Sequence, residues 1–455
     1  MPFRISLALS AALMLGATLA AAAEKPSSTD VFPYPVQQTT LDNGLKVVVI
    51  PYDSPGTVAY FTVVRTGSRN EVEPGHSGFA HFFEHMMFRG TEKYPAERYN
   101  DLLKRMGADS NASTSDDFTN YYIIGPASQL TTMMDMESDR FKNLKYGEDA
   151  FRTESLAILG EYNKGASNPL QPMFEKLNDL AFQKHTYKHT TIGFLADVKA
   201  MPGYYDYSLG FFDRFYRPEN VILLVVGDVQ PQKVFDLAKQ HYGDWKKGYK
   251  PVQIDAEPPQ TEQKTGRIDW PTPGRPQIIV GYHAPAFSTA SVDTATLDLV
   301  AQLLFAESAP LYQELVVDKQ WVNTLDGGTD DHRDPYLFTI YAQIKSGDLV
   351  PKVEGEIDAA IAKLQKEPVD PRRLERIKSH LRYAFALGLD SPGAVARQAV
   401  RALELTGEVE SINRLFAQYQ KVTPADVQRL ARQIFRPTNE TIVTLAPAAA
   451  SKGGK

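Results

Sequence analysis

Three polar side chains interrupt an otherwise apolar run at residues 78–88 (GFAHFFEHMMF), and their spacing has chemical meaning. His81, Glu84 and His85 stand at i, i+3 and i+4. A helix through this run gathers them on one face and turns Phe79, Phe83 and Met86 to the other. Burying an acid and two imidazoles without partners costs roughly 1 to 3 kcal/mol for each group, so something must compensate them. A lone buried histidine is usually just hydrogen-bonded. His-x-x-Glu-His, by contrast, arises by chance only about once in a hundred chains of this length at average residue usage, and imidazoles at i and i+4 can share one metal ion.

Two imidazoles leave a zinc site incomplete, because a hydrolytic site takes a third protein ligand and keeps one position for water. The metal lowers the pKa of that water, and a neighbouring carboxylate accepts the proton as a carbonyl is attacked. Glu84 suits this role of general base. The third ligand should be a histidine or acid on a distant element. Residues 149–164 (DAFRTESLAILGEYNK) offer Glu154 and Glu161, seven residues and therefore two turns apart on one helical face; spacing alone does not choose between them. Residues 108–115 (ADSNASTS) carry small alternating side chains that let another backbone approach closely, a pattern also met in an ordinary edge strand guarded by neighbouring charge.

These residues need a frame. Residues 41–50 (LDNGLKVVVI) and 57–64 (TVAYFTVV) are β-branched and aromatic, are bounded by Asn-Gly, Pro and Gly, and predict two strands. Helical periodicity dominates residues 78–107, a strand-like stretch fills 108–124, and further helical segments reach 216 before an apolar run at 221–226. A second series opens at 277 (QIIVGYHAP) and ends at 441–445. Arg-Pro-x-Asn followed by an apolar run stands at 217–220 and again at 436–439, closing each series, and this points to an internal duplication. Residues 247–267 are polar, hold three prolines and predict a linker. The expected class is α+β, with two homologous domains at 24–246 and 268–447, each a mainly antiparallel sheet with helices packed on it, and a flexible tail at 448–455.

At 455 residues the chain exceeds what one hydrophobic core usually supports. Its net charge of -6 and scattered Lys and Arg leave no basic surface for nucleic acid. Cysteine is absent, which excludes disulfides, thiolate metal sites and thiol catalysis. The first residues place Arg4 before an uncharged apolar stretch that ends in Ala21, Ala22 and Ala23, the layout of a cleavable secretory signal at 1–23. The expected product is periplasmic or secreted, with no stable membrane anchor after cleavage.

The segments LDNGLKVVV, GHSGFAHFFEHMMFRGTEKYP and GADSNASTSDDFTNYY resemble the inverted zincins of the pitrilysin and insulinase family, in the branch similar to mitochondrial processing peptidase. The resemblance covers nearly the whole chain beyond the leader. It implies a Zn2+ ion held by His81, His85 and Glu161, the last standing 76 residues beyond His85 as the family's glutamate ligand does. It implies Glu84 as general base, Glu154 as a supporting acid that orients the site, and an edge at Asn111, Ala112 and Ser113 that receives a peptide substrate as an added strand. It also implies that the two domains form half of a clamshell chamber suited to unstructured peptides.

One departure stands out. Family members usually supply an Arg and a Tyr, seven residues apart, to bind substrate and steady the tetrahedral intermediate. Alignment of LYQELVVDKQWVNTLDGG with that motif puts Val316 and Asn323 at the two positions. A valine cannot donate to an oxyanion, and loss of such donors costs about a hundredfold or more in rate. The expectation is a heterodimer whose homologous partner chain supplies the Arg and Tyr, with a non-catalytic scaffold or peptide-binding subunit of the same fold as the competing class.

Overall fold

The computed structural model describes residues 30–448. The leader expected at 1–23, and the tail expected at 448–455 apart from Ala448, lie outside the described residues. Two sheets organise the chain. The first comprises β1 (Gln37–Thr40), β2 (Lys46–Pro51), β3 (Thr57–Val64), β4 (Asp109–Thr114), β5 (Thr119–Pro126) and β6 (Val221–Gly227), in the order β1-β2-β6-β3-β5-β4. The second comprises β7 (Lys264–Pro273), β8 (Gln277–Ala284), β9 (Val322–Thr329), β10 (Tyr336–Ile344) and β11 (Glu440–Ala448), in the order β7-β11-β8-β10-β9. Each sheet has one parallel pair, β2 with β6 and β7 with β11, and is otherwise antiparallel. Without β1 the two strand orders are the same, as a duplication requires.

The helices that frame the site and link the sheets include α1 (Phe79–Met86), α2 (Ala96–Met106), α3 (Glu148–Gly165), α4 (Leu170–Ala181), α5 (Tyr205–Phe215), α6 (Asp293–Phe305), α7 (Pro392–Thr406) and α8 (Pro424–Ile434). The repeated Arg-Pro-x-Asn does the same work twice. Asn220 Nδ2 donates to the Phe215 carbonyl at the end of α5 (3.0 Å), and Asn439 Nδ2 donates to the Ile434 carbonyl at the end of α8 (2.9 Å). Each bond satisfies a helix carbonyl that has no intrahelical partner and turns the chain into the next strand.

The helical pattern across 78–107 is two helices, not one. Gly90 takes φ +87, a backbone conformation that favours glycine, and it bridges to Pro95 before α2 begins. The strand-like stretch 108–124 is the hairpin β4–β5, turning at residues 115–118. The segment expected as a linker is partly built into the fold: Lys264 to Arg267 open β7, and the Glu257 carboxylate accepts the backbone N–H groups of Gln183, Lys184 and His185 at 2.8 to 3.0 Å.

The halves also exchange helices. α7, from the second half, lays Val395, Ala396, Ala399 and Leu403 on Val48, Phe61, Val63 and Leu224 of the first sheet. α4, from the first half, lays Met173, Leu177 and Ala181 on Ile279, Val443 and Leu445 of the second. The first sheet's other face packs on α1 and α5. The second sheet's other face packs on α6, which is buried along nearly its whole length through Leu297, Val300, Leu303 and Leu304 and carries no histidine.

Candidate metal centre

α1 is fixed at its start by a residue seven positions earlier. The buried Glu71 carboxyl group accepts the N–H groups of Gly78 and Ala80, each at 2.7 Å, which satisfies helix donors that have no intrahelical acceptor. Gly78 itself has φ +94, and a Cβ there would lie 2.7 Å from the Ile192 carbonyl oxygen, so only glycine fits. From this anchor Phe79, Phe82, Phe83 and Met86 are driven into the core, leaving His81, Glu84 and His85 on the half-buried face.

α3 crosses this face. His81 Nε2 stands 3.7 Å and His85 Nε2 3.4 Å from Glu161 Oε2, and the three residues each offer a ligand atom within 4.8 Å of the others. Ligands about 2.0–2.2 Å from a tetrahedral zinc ion are separated by about 3.4 Å, so two imidazoles and a carboxylate at these spacings fit such an ion. The donor set also fits: Glu161, half-exposed, has no hydrogen-bond donor among the described residues, while His85 Nδ1 is occupied by Glu154 Oε1 at 3.0 Å, which leaves Nε2 free. His81 Nδ1 is buried without a hydrogen-bond partner.

The electrostatics follow the packing. Burial and the neighbouring His85 pull His81 down to about 4, so its imidazole is neutral at neutral pH. The bond to Glu154 raises His85. Burial alone would raise Glu154, but bonds from His85 and Arg89 outweigh it and the carboxyl lies below its ordinary range. Glu84 is pushed up, chiefly by burial and against a hydrogen bond that the Thr114 hydroxyl donates to its Oε2 at 2.6 Å. A carboxylate of raised pKa beside a metal-ligand cluster accepts a proton more readily than an exposed one.

β4 is the outer strand of its sheet and pairs only with β5. Asn111 and Ser113 are exposed and Ala112 is buried against the first core. The strand's end touches α1 through Thr114, so the free edge runs beside the cluster. The structure thus brings His81, His85, Glu161, Glu84 and Glu154 together, with Asn111, Ala112 and Ser113 on the adjoining edge. Val316 lies apart from them in a π-helical turn, Gln313–Asp318, half-buried against the second core. Asn323 lies in β9 between Gln343 and the Arg275 guanidinium. Glu71, Arg89 and Thr114 were not singled out from the sequence. For Thr114 a signal exists, since strand alternation sets it on the same face as Ala112.

Known proteins resemble this chain along most of its length. Residues 47–193 match the family model described as Insulinase (Peptidase family M16), and residues 205–381 match Peptidase M16 inactive domain. The zinc protease PqqE of Helicobacter pylori is 29% identical, the alignment covering 90% of this chain and 93% of that protein. A probable mitochondrial-processing peptidase subunit beta of Schizosaccharomyces pombe is 24% identical over 88% of each chain. The crystal structure of a protease from Helicobacter pylori superposes with a TM-score of 0.86 at 29% identity, covering 90% of this chain and 99% of that one. The chain belongs to the insulinase family, peptidase family M16.

Proposed function

We propose that this chain is a zinc-dependent endopeptidase of the inverted-zincin type, acting on unstructured peptides. His81, His85 and Glu161 hold the metal, Glu84 is the general base, and Glu154 orients His85. The observation that carries this reading is the convergence of three ligand atoms within 4.8 Å beside the raised Glu84 carboxyl. A divalent ion at these ligands supplies Lewis acidity that polarises the scissile carbonyl and acidifies a water molecule. Glu84 takes the proton from the attacking water and returns it to the leaving amine. Glu154, accepting from His85 Nδ1, fixes the tautomer that leaves Nε2 as the ligand. The open edge at Asn111, Ala112 and Ser113 takes the peptide as an added strand through main-chain hydrogen bonds.

Because Val316 and Asn323 stand where relatives carry Arg and Tyr, the working unit in this proposal is a heterodimer whose homologous partner provides those two groups. A homodimer would repeat the deficit. Secretion to the periplasm or beyond is part of the same reading, and among the described residues no helix is long and apolar enough to cross a membrane. The second reading, a scaffold or peptide-binding subunit without turnover, draws on the same missing Arg and Tyr.

Glu84→Gln separates the two. The variant should retain zinc in the wild-type ratio while peptide hydrolysis by the assembled enzyme falls about a hundredfold or more. Hydrolysis that is indifferent to this change defeats the peptidase mechanism. Adding the homologous partner should raise the wild-type rate about a hundredfold or more; full activity from the chain alone rules out the heterodimer.

A further inference from the structure

Resting on the peptidase reading above, we propose that Thr114 is a positioning residue for Glu84, so that the strand on which the peptide docks also aims the base. Thr114 is the last residue of β4. Alternation along the strand turns Ala112 and Thr114 towards α1: Ala112 joins the core that holds Phe79 and Phe83, whereas Ser113 on the other face lines a cavity with Arg397 and Gln398 of α7. The Thr114 hydroxyl donates to Glu84 Oε2 at 2.6 Å. Among the described residues no residue other than Thr114 hydrogen-bonds the Glu84 side chain, and the backbone of Thr114 supports the same carboxyl alongside the hydroxyl.

This tether, the hydroxyl and backbone of one residue, has a chemical consequence. A glutamate has three side-chain torsions, and fixing them costs up to about 2 kcal/mol of rotamer freedom. The hydroxyl on Oε2, together with the backbone of the same residue, selects one rotamer of the carboxyl. The donor is itself held by its strand: Thr119 pairs with Thr114 across β4 and β5, its Oγ1 lies 3.4 Å from that of Thr114, and it donates to the Thr66 carbonyl at 3.0 Å on the neighbouring strand's exit. The position of the base is thereby referred to the docking edge rather than to α1 alone.

Thr114→Val removes the hydroxyl donor while keeping the shape and the backbone contact, and Thr114→Ser keeps the hydroxyl. With the zinc-loaded, assembled enzyme and a quenched fluorescent peptide, Thr114→Val should lower kcat about 10- to 100-fold, the range for losing a hydrogen bond to a charged group. KM and zinc content should stay within about twofold, and Thr114→Ser should restore kcat to within about threefold of wild type. In a Glu84→Gln background, Thr114→Val should leave the Kd of a labelled form of the same peptide unchanged and add no further loss of turnover. Unchanged kcat in Thr114→Val overturns the proposal. So does a loss that serine fails to rescue, or one explained by weaker peptide binding. Undiminished turnover in Glu84→Gln by itself marks failure of the peptidase reading instead.

Discussion

The two imidazoles on α1 are held differently, and zinc affinity should reflect it. His85 is oriented through Nδ1 by Glu154, which Arg89 anchors in turn, whereas His81 Nδ1 has no partner and the ring is set by packing. Glu154→Ala should therefore weaken zinc binding about 10- to 100-fold, the usual cost of losing a ligand's supporting acid, as read by competition with a chelator. An unchanged affinity would show that packing alone orients His85. His-x-x-Glu-His was legible in the sequence because all three groups lie on one helix. Glu161 was not separable from Glu154 by periodicity, since residues two turns apart share a face; the resemblance chose between them, and the structure shows Glu154 reaching His85 Nδ1 while Glu161 faces both Nε2 atoms. Thr114 and Arg89 escaped notice because their bonds run between elements that only the fold brings together.

At the scale of elements, α1 depends on groups that titrate. Burial pushes Glu71 up to about 8, against the bonds it accepts from Ala80 and Gly78. Where the first half meets the second, burial would pull His332 down, but its bond to Asp116 at 3.0 Å outweighs this and holds the imidazole at about 9. The unfolded chain releases these protons near 4.5 and 6.5. The folded protein keeps them longer, so stability declines from about pH 4.5 through 8 for Glu71 and from 6.5 through 9 for His332. Thermal unfolding should thus move to lower temperature between pH 6.5 and 9, and His332→Gln should flatten the upper part of that decline by about 1–3 kcal/mol. A midpoint that rises over this interval contradicts the assignment. The strand at 57–64 and the apolar run at 221–226, which becomes β6, were readable because β-branched runs between turn residues have few other outcomes. The break between α1 and α2 had a signal in Gly90 and Pro95, which helical periodicity taken alone passed over.

At the scale of the molecule, the duplication was visible in Arg-Pro-x-Asn, but the exchange of α4 and α7 between halves was not, because an amphipathic helix does not say which sheet it will cover. The exchange makes the halves interdependent. Residues 24–246 produced alone would expose Phe61, Val63 and Leu224 without α7, and a bare apolar sheet face of this kind aggregates. That fragment should be insoluble or oligomeric by size-exclusion chromatography, and co-expression with residues 247–455 should recover a soluble complex; a monomeric, cooperatively folded fragment would show that α7 is dispensable. The central claim, that His81, His85 and Glu161 form one zinc site, is tested most directly by anomalous diffraction at the zinc edge from the zinc-loaded protein. The account predicts a single strong peak per chain, about 2.0–2.2 Å from the two imidazoles and the Glu161 carboxylate, and lost in Glu161→Ala. Zinc bound elsewhere, or a peak between the histidines that survives removal of Glu161 at full occupancy, would contradict it.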